Sequence, residues 1–250
     1  MRDTRLIMGM PITVEIADDS AAPDALEKTF AHFAAVDERF STYKDTSEIM
    51  RINRGKVAER NYSPQMREVF ALAEKTKKET DGYFDIKKPD GSLDPSGIVK
   101  GWAIERAAEL LLAEGCKNFY VDAGGDIQSY GTNAEGGAWS VGIRNPFNIN
   151  EIVKVVYPRG AGVATSGTYI RGQHIYDPHA PERALQDIVS LTVIGSGVLD
   201  ADRFATGAFA MGRDGIDFIE RLPGFEGYAI DSNGTATMTS GFAAYTKLHS

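Results

Sequence analysis

The stretch that determines the fold class lies at residues 97–127 and reads GIVKGWAIERAAELLLAEGCKNFYVDAGGDI. Apolar residues recur at helical spacing through its first part, which predicts a helix from near Gly97 to Glu114. The following segment, Asn118–Ala123, has the pattern of a strand and ends at Gly124 and Gly125. A long helix is therefore followed at once by a strand that ends in a glycine pair.

Outside this stretch, helices and strands fall into separate blocks of the sequence. The other predicted helices cover residues 23–40, 47–53, 63 to about 81, 199–211 and 216–221. The other predicted strands cover residues 11–17 and 83–86, several short segments between 127 and 193, and a closing hairpin at 227–230 and 236–239. Because the two kinds of element do not alternate strictly, the sequence predicts an α+β fold. We expect mixed or antiparallel sheets with packed helices, not a doubly wound parallel sheet.

Composition and charge exclude several classes of protein. Of the 250 residues, 42% are hydrophobic and 25% are charged, which is ordinary for a globular chain. No repeat or linker divides the sequence, so we predict one domain over residues 1–250. The net charge of −8 excludes a general electrostatic attraction to nucleic acid or anionic membranes. Any bound phosphate must be held locally, by a metal ion, a helix N-terminus or a few basic side chains.

Two further features concern redox chemistry and location. Cys116 is the single cysteine, which excludes an intramolecular disulfide and a cysteine-based zinc site. The first residues lack the apolar run of a signal peptide, and no apolar stretch approaches the roughly 20 residues of a membrane-spanning helix. We therefore expect a cytoplasmic protein.

Two glycine-containing segments are candidate ligand sites. The segment Asp94–Trp102 predicts a helix N-terminus with Lys100 near it, and the free N–H groups and dipole of such an end suit a phosphate. On the local signal alone, the same residues better fit a plain helix capped by Asp94 and Ser96. The strand before Gly124-Gly125-Asp126 ends where a ligand can approach the backbone closely. The alternative there is a tight turn between two strands.

Polar side chains later in the chain could carry chemistry. His174 precedes a predicted turn at Asp177-Pro178, and is either a general base or a hydrogen-bonded structural histidine. The nearby His179 is expected to be solvent-exposed. Asp202 and Thr206 lie four residues apart in a predicted helix and so share one face. Their hard oxygens suit Mg²⁺ and not Zn²⁺, unless they serve only the helix itself, as a dipole-favoured acid and a backbone-bonded hydroxyl.

The order and spacing of these segments resemble those of the FAD:protein FMN transferase family, also called the ApbE family. The matching segments are Met8-Gly9, Ser41-Thr42-Tyr43, Phe84-Asp85, Asp94–Gly101, Gly124-Gly125-Asp126, Thr165–Tyr169, His174–Pro178 and Ala201–Thr206. Each is weak alone, whereas the ordered set spans nearly the whole chain and is highly specific. The resemblance implies an ApbE-like flavin transferase fold.

The resemblance also implies a role for each matching residue. Tyr43 is expected at the flavin, where its aromatic face can stack on the isoalloxazine ring. Further FAD contacts are expected at Met8, Tyr83, Phe84, Asp85, Asp94, Lys100, Gly124, Gly125, Asp126 and Tyr176. The expected Mg²⁺ ligands are the carbonyl of Gly97 and the side chains of Asp202 and Thr206. His174 is expected to assist the acceptor hydroxyl, and together with Asp202 it forms the implied catalytic pair.

The implied reaction is a phosphoryl transfer from FAD to an acceptor flavoprotein. A threonine hydroxyl of the acceptor attacks the flavin-side phosphorus, AMP leaves, and FMN remains as a phosphoester on the acceptor. Mg²⁺ would bridge the pyrophosphate oxygens and stabilise the charge that develops on AMP. Two alternatives use the same residues: an Mg²⁺-dependent FAD pyrophosphatase that yields FMN and AMP, and a non-catalytic FAD-binding protein.

The sequence departs from the family pattern at three places. Only Ile86–Leu93 separates the Phe-Asp and Asp-x-Gly motifs, where the family has a longer stretch, so we expect one wall of the flavin pocket to be shortened. Pro95-Ser96 replaces the usual Leu-Gly. Arg203 is expected to bring a cation next to Asp202.

Overall fold

A computed structural model describes residues 1–18, 22–167, 175–182 and 184–247 of the protein. The helices are α1 (Ala25–Phe40), α2 (Glu48–Asn53), α3 (Pro64–Glu79), α4 (Ser96–Ala113), α5 (Val198–Ala210) and α6 (Gly215–Glu220). The strands are β1 (Arg2–Ile7), β2 (Met10–Ile16), β3 (Phe119–Ala123), β4 (Asp126–Tyr130), β5 (Val141–Asn145), β6 (Asn148–Val156), β7 (Gly162–Gly167), β8 (Ile188–Gly195), β9 (Glu226–Asp231) and β10 (Ala236–Met238). Within these ranges, no helix is both long and apolar enough to cross a bilayer.

In the described part of the chain, eight strands form one sheet in the order β1-β2-β3-β4-β7-β8-β9-β10, and β5 pairs with β6 in a separate ribbon. Every pair of neighbouring strands is antiparallel. The α+β prediction is confirmed, and of the two sheet types expected the antiparallel one is present. The one long interruption in strand order, from β4 to β7, is where the ribbon leaves the sheet.

The described residues form three packed hydrophobic clusters. The first joins helices α1–α4 to β2 and β3, and the second joins α5 and α6 to β8 and β9. The third, around Val141, Val156 and Phe242, packs the β5–β6 ribbon against side chains of β4, β7, β8 and β9. Helices α4 and α5 also contact one another extensively, so the first two clusters meet along this helix pair.

The structure differs from the sequence prediction at two elements. Strand β1 was not predicted, because its residues are mostly charged or polar and it pairs only with β2 at the edge of the sheet. The strand predicted at Tyr83–Ile86 is wrong. Those residues follow the turn after α3, where the Phe84 N–H donates to Thr80 Oγ1 at 3.0 Å. Phe84 and Ile86 are buried by packing into the first cluster and not by strand pairing.

Candidate functional site

The site forms where α4 and α5 approach each other most closely. Gly101 on α4 lies so near α5 that a Cβ placed on it would come within 2.7 Å of the Asp202 Cβ and 3.0 Å of the Leu199 Cα. One turn earlier, a Cβ on Gly97 would lie 3.2 Å from Thr206 Cγ2. The spacing of the two glycines thus matches the spacing of Asp202 and Thr206, one helical turn in each case.

Asp202 is buried in this contact and holds α4 by a hydrogen bond. Its Oδ2 accepts from the Gly101 N–H at 2.7 Å, and only 3% of the residue is exposed. Lys100 Nζ lies 3.6 Å from Asp202 Oδ1 and 2.5 Å from Asp126 Oδ2. Asp126 is itself buried at the start of β4, and its Oδ1 accepts from the Thr165 N–H of β7 at 3.0 Å. Charged side chains of α4, α5 and β4 therefore form one buried cluster, and the backbone of β7 donates a hydrogen bond to it.

Electrostatics make this cluster a favourable place for an added cation. Burial raises the pKa of the Asp202 carboxyl to about 7; the Lys100 ammonium opposes this shift, and the neighbouring Asp126 adds to it. The two carboxylates outnumber the one ammonium among these three side chains. A divalent cation at Asp202 would offset both the burial cost and the repulsion between the carboxylates.

A hydroxyl and a carbonyl lie one turn away from this carboxylate. Thr206 Oγ1 is 3.4 Å from the carbonyl oxygen of Gly97, close enough for both to face one ion. Carboxylate, hydroxyl and carbonyl oxygens are the ligands that Mg²⁺ accepts, with water and substrate oxygens completing the coordination. The residues present therefore fit Mg²⁺. In the described part of the chain, no group of three or more His, Cys, Asp or Glu side chains is placed to hold a metal ion.

The glycine pair forms a hairpin turn beside this cluster. Gly124 and Gly125 have φ of +62° and +96° and connect Ala123 to Asp126, which are paired residues of β3 and β4. Two consecutive left-handed residues are the mark of a type I′ turn, and glycine adopts them without strain. The tight turn between two strands, which the sequence allowed as the alternative to a ligand site, is thus present. It places Asp126 at the first position of β4. A ligand role for the two glycines stays a prediction.

Met8 belongs to a second turn of the same kind. Met8 and Gly9, with φ of +56° and +72°, join β1 to β2. The Gly124 N–H donates to Pro11 O at 3.1 Å, so the two turns lie at the same end of the sheet. A left-handed methionine is uncommon, and its half-buried side chain packs against the first hydrophobic cluster. Met8 and Gly124 therefore belong to turns at one end of the sheet, and a ligand role for Met8 stays a prediction.

A group of polar residues lies next to Gly97, on the outer side of the cluster. The ring of Phe84 would contact a Cβ on Gly97 at 3.2 Å, so residues 83–85 pass directly beside the start of α4. Asp85 is held by Lys77 at 2.6 Å, and Asp94 accepts from the Ser96 N–H at 3.1 Å. Burial, followed by the charges of Asp85, Asp94 and Asp90, raises the pKa of Tyr176. Tyr176 thus lies within electrostatic range of this wall.

The shortened segment before Asp94 folds as a compact loop. Lys87 and Leu93 form an isolated bridge, and the Lys88 N–H donates to Ser92 O at 2.8 Å. Asn53 of α2 holds the loop in place, since its amide bonds the backbone of Leu93 in both directions at 2.8 and 2.9 Å. This wall of the site is therefore small but tied to the helical layer.

Of the remaining predicted site residues, Tyr43 lies apart from these groups, and His174 is not among the described residues. Tyr43 lies in the loop between α1 and α2 with 97% of the residue exposed, and within the described ranges its one recorded hydrogen bond is from its backbone to Ser41. Its ring is free to stack on a planar ligand. His174 lies outside the described residues, as do Thr168 and Tyr169 of the preceding motif, so the general-base assignment stays a prediction.

The expectation for Arg203 is wrong. Its buried guanidinium turns away from Asp202 and bonds Asp200 at 2.5 Å, Glu79, and Thr76 at 3.3 Å. Arg203 follows Asp202 by one residue, which on a helix rotates the side chain by roughly 100° onto another face. It therefore fixes α5 to α3 and leaves the charge at Asp202 unaltered by direct contact.

Sequence reasoning missed Gln128, which orients α5. Its Oε1 accepts from the Val198 N–H at 3.0 Å, at the first turn of α5, and its Nε2 donates to Gly160 O at 2.8 Å. Gln128 lies two residues after Asp126 on β4, so both side chains leave the same face of the sheet. The sequence feature that could have identified Gln128 is its position two residues after Asp126, in the strand that follows the glycine turn.

A cleft of about 490 Å³ lies elsewhere, between α1, α3 and α4. Its charged residues are already paired: Glu68 accepts from Trp102 Nε1 at 3.0 Å and from Arg106. The cleft contains no matched motif residue of the resemblance, and the buried charge cluster is the better candidate for chemistry.

Comparison with known proteins gives the family of this chain. The ApbE family matches residues 8–89 and 86–229, which together cover most of the chain. The chain belongs to the ApbE family. This ApbE-family chain is 32% identical to the FAD:protein FMN transferase of Escherichia coli K12 over 63% of its own length and 47% of that protein. It is 24% identical to the Haemophilus influenzae FAD:protein FMN transferase over 96% of its length and 89% of that protein.

Solved structures show the same fold. The flavin transferase ApbE from Vibrio cholerae superimposes with a TM-score of 0.87 at 22% identity, covering 98% of each chain. The ApbE protein from Thermotoga maritima gives a TM-score of 0.87 at 19% identity over 99% of each chain. The chain spans about half the length of several curated relatives that it matches, including the Escherichia coli protein. The α+β architecture is therefore that of the ApbE flavin transferases.

Proposed function

We propose that this protein transfers FMN from FAD to a threonine hydroxyl of an acceptor protein and releases AMP. The observation that carries the proposal is the α4–α5 contact: a buried Asp202 one turn from Thr206, with the Gly97 carbonyl 3.4 Å from the Thr206 hydroxyl. Those are the positions at which the family resemblance expects a metal ion. The relatives named FAD:protein FMN transferase support the reaction type.

Gly97, Asp202 and Thr206 would hold Mg²⁺ in this proposal. When bound, Mg²⁺ supplies positive charge that neutralises the pyrophosphate and the leaving AMP. Lys100 keeps the two carboxylates together in the protein alone, because its ammonium lies between Asp126 and Asp202. The Gly101 N–H fixes the orientation of the Asp202 carboxylate, so that the carboxylate is directed before any ligand arrives.

FAD would lie along the wall formed by residues 83–85, Asp94 and Tyr176. The exposed Tyr43 ring would stack on the flavin, and the turns at Met8 and Gly124 would approach it with backbone. During transfer, a bond forms between the acceptor threonine oxygen and the flavin-side phosphorus, while the bond from that phosphorus to the AMP oxygen breaks. His174 would take the threonine proton, and the freed AMP oxygen remains as phosphate.

We also propose that residues 1–250 form one domain. Strand β1 at the start of the chain and strand β10 near its end belong to the same eight-stranded sheet. The helix pair that carries the site lies over the middle of this sheet, where β4 and β7 adjoin. A cut between two independently folding parts would have to divide the sheet.

The proposal is tested by incubating the protein with FAD, Mg²⁺ and a threonine-containing acceptor peptide. Mass spectrometry should find one FMN added to the peptide and an equal amount of AMP. A peptide with valine at the threonine should stay unmodified, and excess chelator should stop the reaction. AMP release that is the same with and without peptide would instead identify an FAD pyrophosphatase, and FAD binding without AMP release would identify a binding protein.

Thr206→Val should weaken Mg²⁺-dependent turnover by about 10–100-fold, since an isosteric methyl replaces the hydroxyl proposed to bind the ion. The measurement is the Mg²⁺ concentration that gives half-maximal FMN transfer. Thr206→Ser retains the hydroxyl and is the matched control, with an expected shift of at most a few-fold. Equal Mg²⁺ dependence in wild type and the valine variant would remove Thr206 from the proposed ligands.

A further inference from the structure

The turn that ends α3 has an unusual backbone that accommodates a neighbouring side chain. Asp81 and Gly82 have φ of +50° and +85°, and the Gly82 N–H donates back to Lys77 O at 2.8 Å. A Cβ on Gly82 would lie 3.2 Å from Cε1 of His179, nearly one hundred residues later in the chain. Glycine is favoured at position 82 for two reasons: its backbone is left-handed, and a side chain there would crowd the His179 imidazole.

His179 contacts all three consecutive residues of this turn. Its Nε2 lies 3.0 Å from Asp81 O; because a carbonyl only accepts, Nε2 carries the proton and donates. Its ring meets the Tyr83 ring edge-on, with centroids 4.7 Å apart and planes at 76°. One imidazole thus joins the segment 175–182 to the residues that form the wall of the site.

The position of His179 is coupled to that of Tyr176 by a short turn. The His179 N–H donates to Asp177 Oδ1 at 2.9 Å, and the Ala180 N–H donates to Asp177 O at 3.0 Å. These bonds restrict the backbone of residues 177–180, which directly follow Tyr176. Burial, and then the charges of Asp85 and Asp94, raise the pKa of Tyr176. Fixing His179 therefore limits where Tyr176 can be.

We propose that His179 is a positioning residue that fastens the segment 175–182 to the Asp81–Tyr83 turn and so sets the FAD wall formed by Tyr83 and Tyr176. The role in FAD binding rests on the proposed function, whereas the attachment itself does not. The sequence expectation that His179 is simply solvent-exposed is incomplete: the residue is exposed, but its ring is engaged by a hydrogen bond and an aromatic contact.

His179→Ala removes both contacts, whereas His179→Phe retains a ring for Tyr83 and loses the hydrogen bond. Amide hydrogen exchange of residues 175–182, measured without FAD, should be faster in the alanine variant and intermediate in the phenylalanine variant. KM for FAD should rise on the order of tenfold in His179→Ala, with kcat within about twofold of wild type. Glu182→Ala, an exposed change in the same segment, is the control and should resemble wild type in both measurements.

A double-mutant cycle with Gly82→Ala separates this role from general destabilisation. The strain of a left-handed alanine is present with or without His179, whereas the contact between its Cβ and the imidazole is not. We expect Gly82→Ala to speed exchange of residues 175–182 in the wild-type background and to add little in His179→Ala. Unchanged exchange in His179→Ala, or strictly additive effects, would overturn the attachment. Faster exchange in a protein that transfers no FMN would retain the attachment and reject the proposed function instead.

Discussion

Replacing Asp202 by asparagine is expected to lower the proposed FMN transfer from FAD by on the order of 10²–10³-fold while the protein stays folded. The amide can still accept from the Gly101 N–H, now 2.7 Å from Asp202 Oδ2, so the contact between α4 and α5 is retained. What is lost is the negative charge proposed to bind Mg²⁺. Lys100 retains Asp126, which lies 2.5 Å away, so the substitution leaves no unpaired ammonium. Stability should therefore change little, because removing Asp202 also removes a repulsion between two buried carboxylates.

The control for this substitution lies two residues earlier on the same helix. Asp200 has 41% of its side chain exposed and pairs with Arg203 on a different face of α5. Asp200→Asn makes the same chemical change outside the cluster and should transfer FMN at nearly the wild-type rate. The measurements are initial rates of AMP release and the melting temperature of each variant. Equal activity in the two asparagine variants would contradict the placement of the metal at Asp202.

Local patterns predicted the elements that carry the site. The helix expected from Gly97 to Glu114 is α4, and the helix expected over 199–211 is α5, each within about two residues. Both have continuous apolar faces that local periodicity detects. Strand β1 was missed because an edge strand with solvent on one side needs little apolar sequence. The strand predicted at Tyr83–Ile86 failed because burial of Phe84 and Ile86 by helices gives the same alternation as strand pairing.

Local patterns could not predict contacts between residues that are distant in sequence. The sequence placed Lys100 and Asp126 in separate motifs, each as an FAD contact, whereas the structure pairs them with each other and with Asp202. The hydrogen bond from Gly101 to Asp202 spans 101 residues and depends on the absence of a side chain at Gly101. Likewise, the Arg203 side chain is oriented by its bond to Glu79 on α3. The residue spacing around Asp202 gives no indication of this contact.

The glycines of α4 therefore determine the site as much as its charged residues do. A glycine within a helix normally costs about 1 kcal/mol relative to alanine, so Gly101→Ala alone would be stabilising if space allowed. Gly97 and Gly101 instead form the surface on which α5 lies. This helix contact brings together the Gly97 carbonyl and the side chains of Asp202 and Thr206, which we propose as the Mg²⁺ ligands.

Gly101→Ala should accordingly destabilise the protein by about 1–3 kcal/mol and abolish most FMN transfer, because its Cβ would lie 2.7 Å from the Asp202 Cβ and 3.0 Å from the backbone of Leu199. Backbone atoms cannot rotate aside, so α5 must shift and carry Asp202 away from the Gly101 N–H. Gly97→Ala is the matched comparison: its Cβ would meet only the ends of the Phe84 and Thr206 side chains, at 3.2 Å, and we expect a smaller loss of stability. Urea unfolding and the Mg²⁺ dependence of AMP release measure the two effects. A Gly101→Ala protein as stable as wild type, with unchanged Mg²⁺ dependence, would show that the close approach of α4 and α5 does not set the geometry of the site.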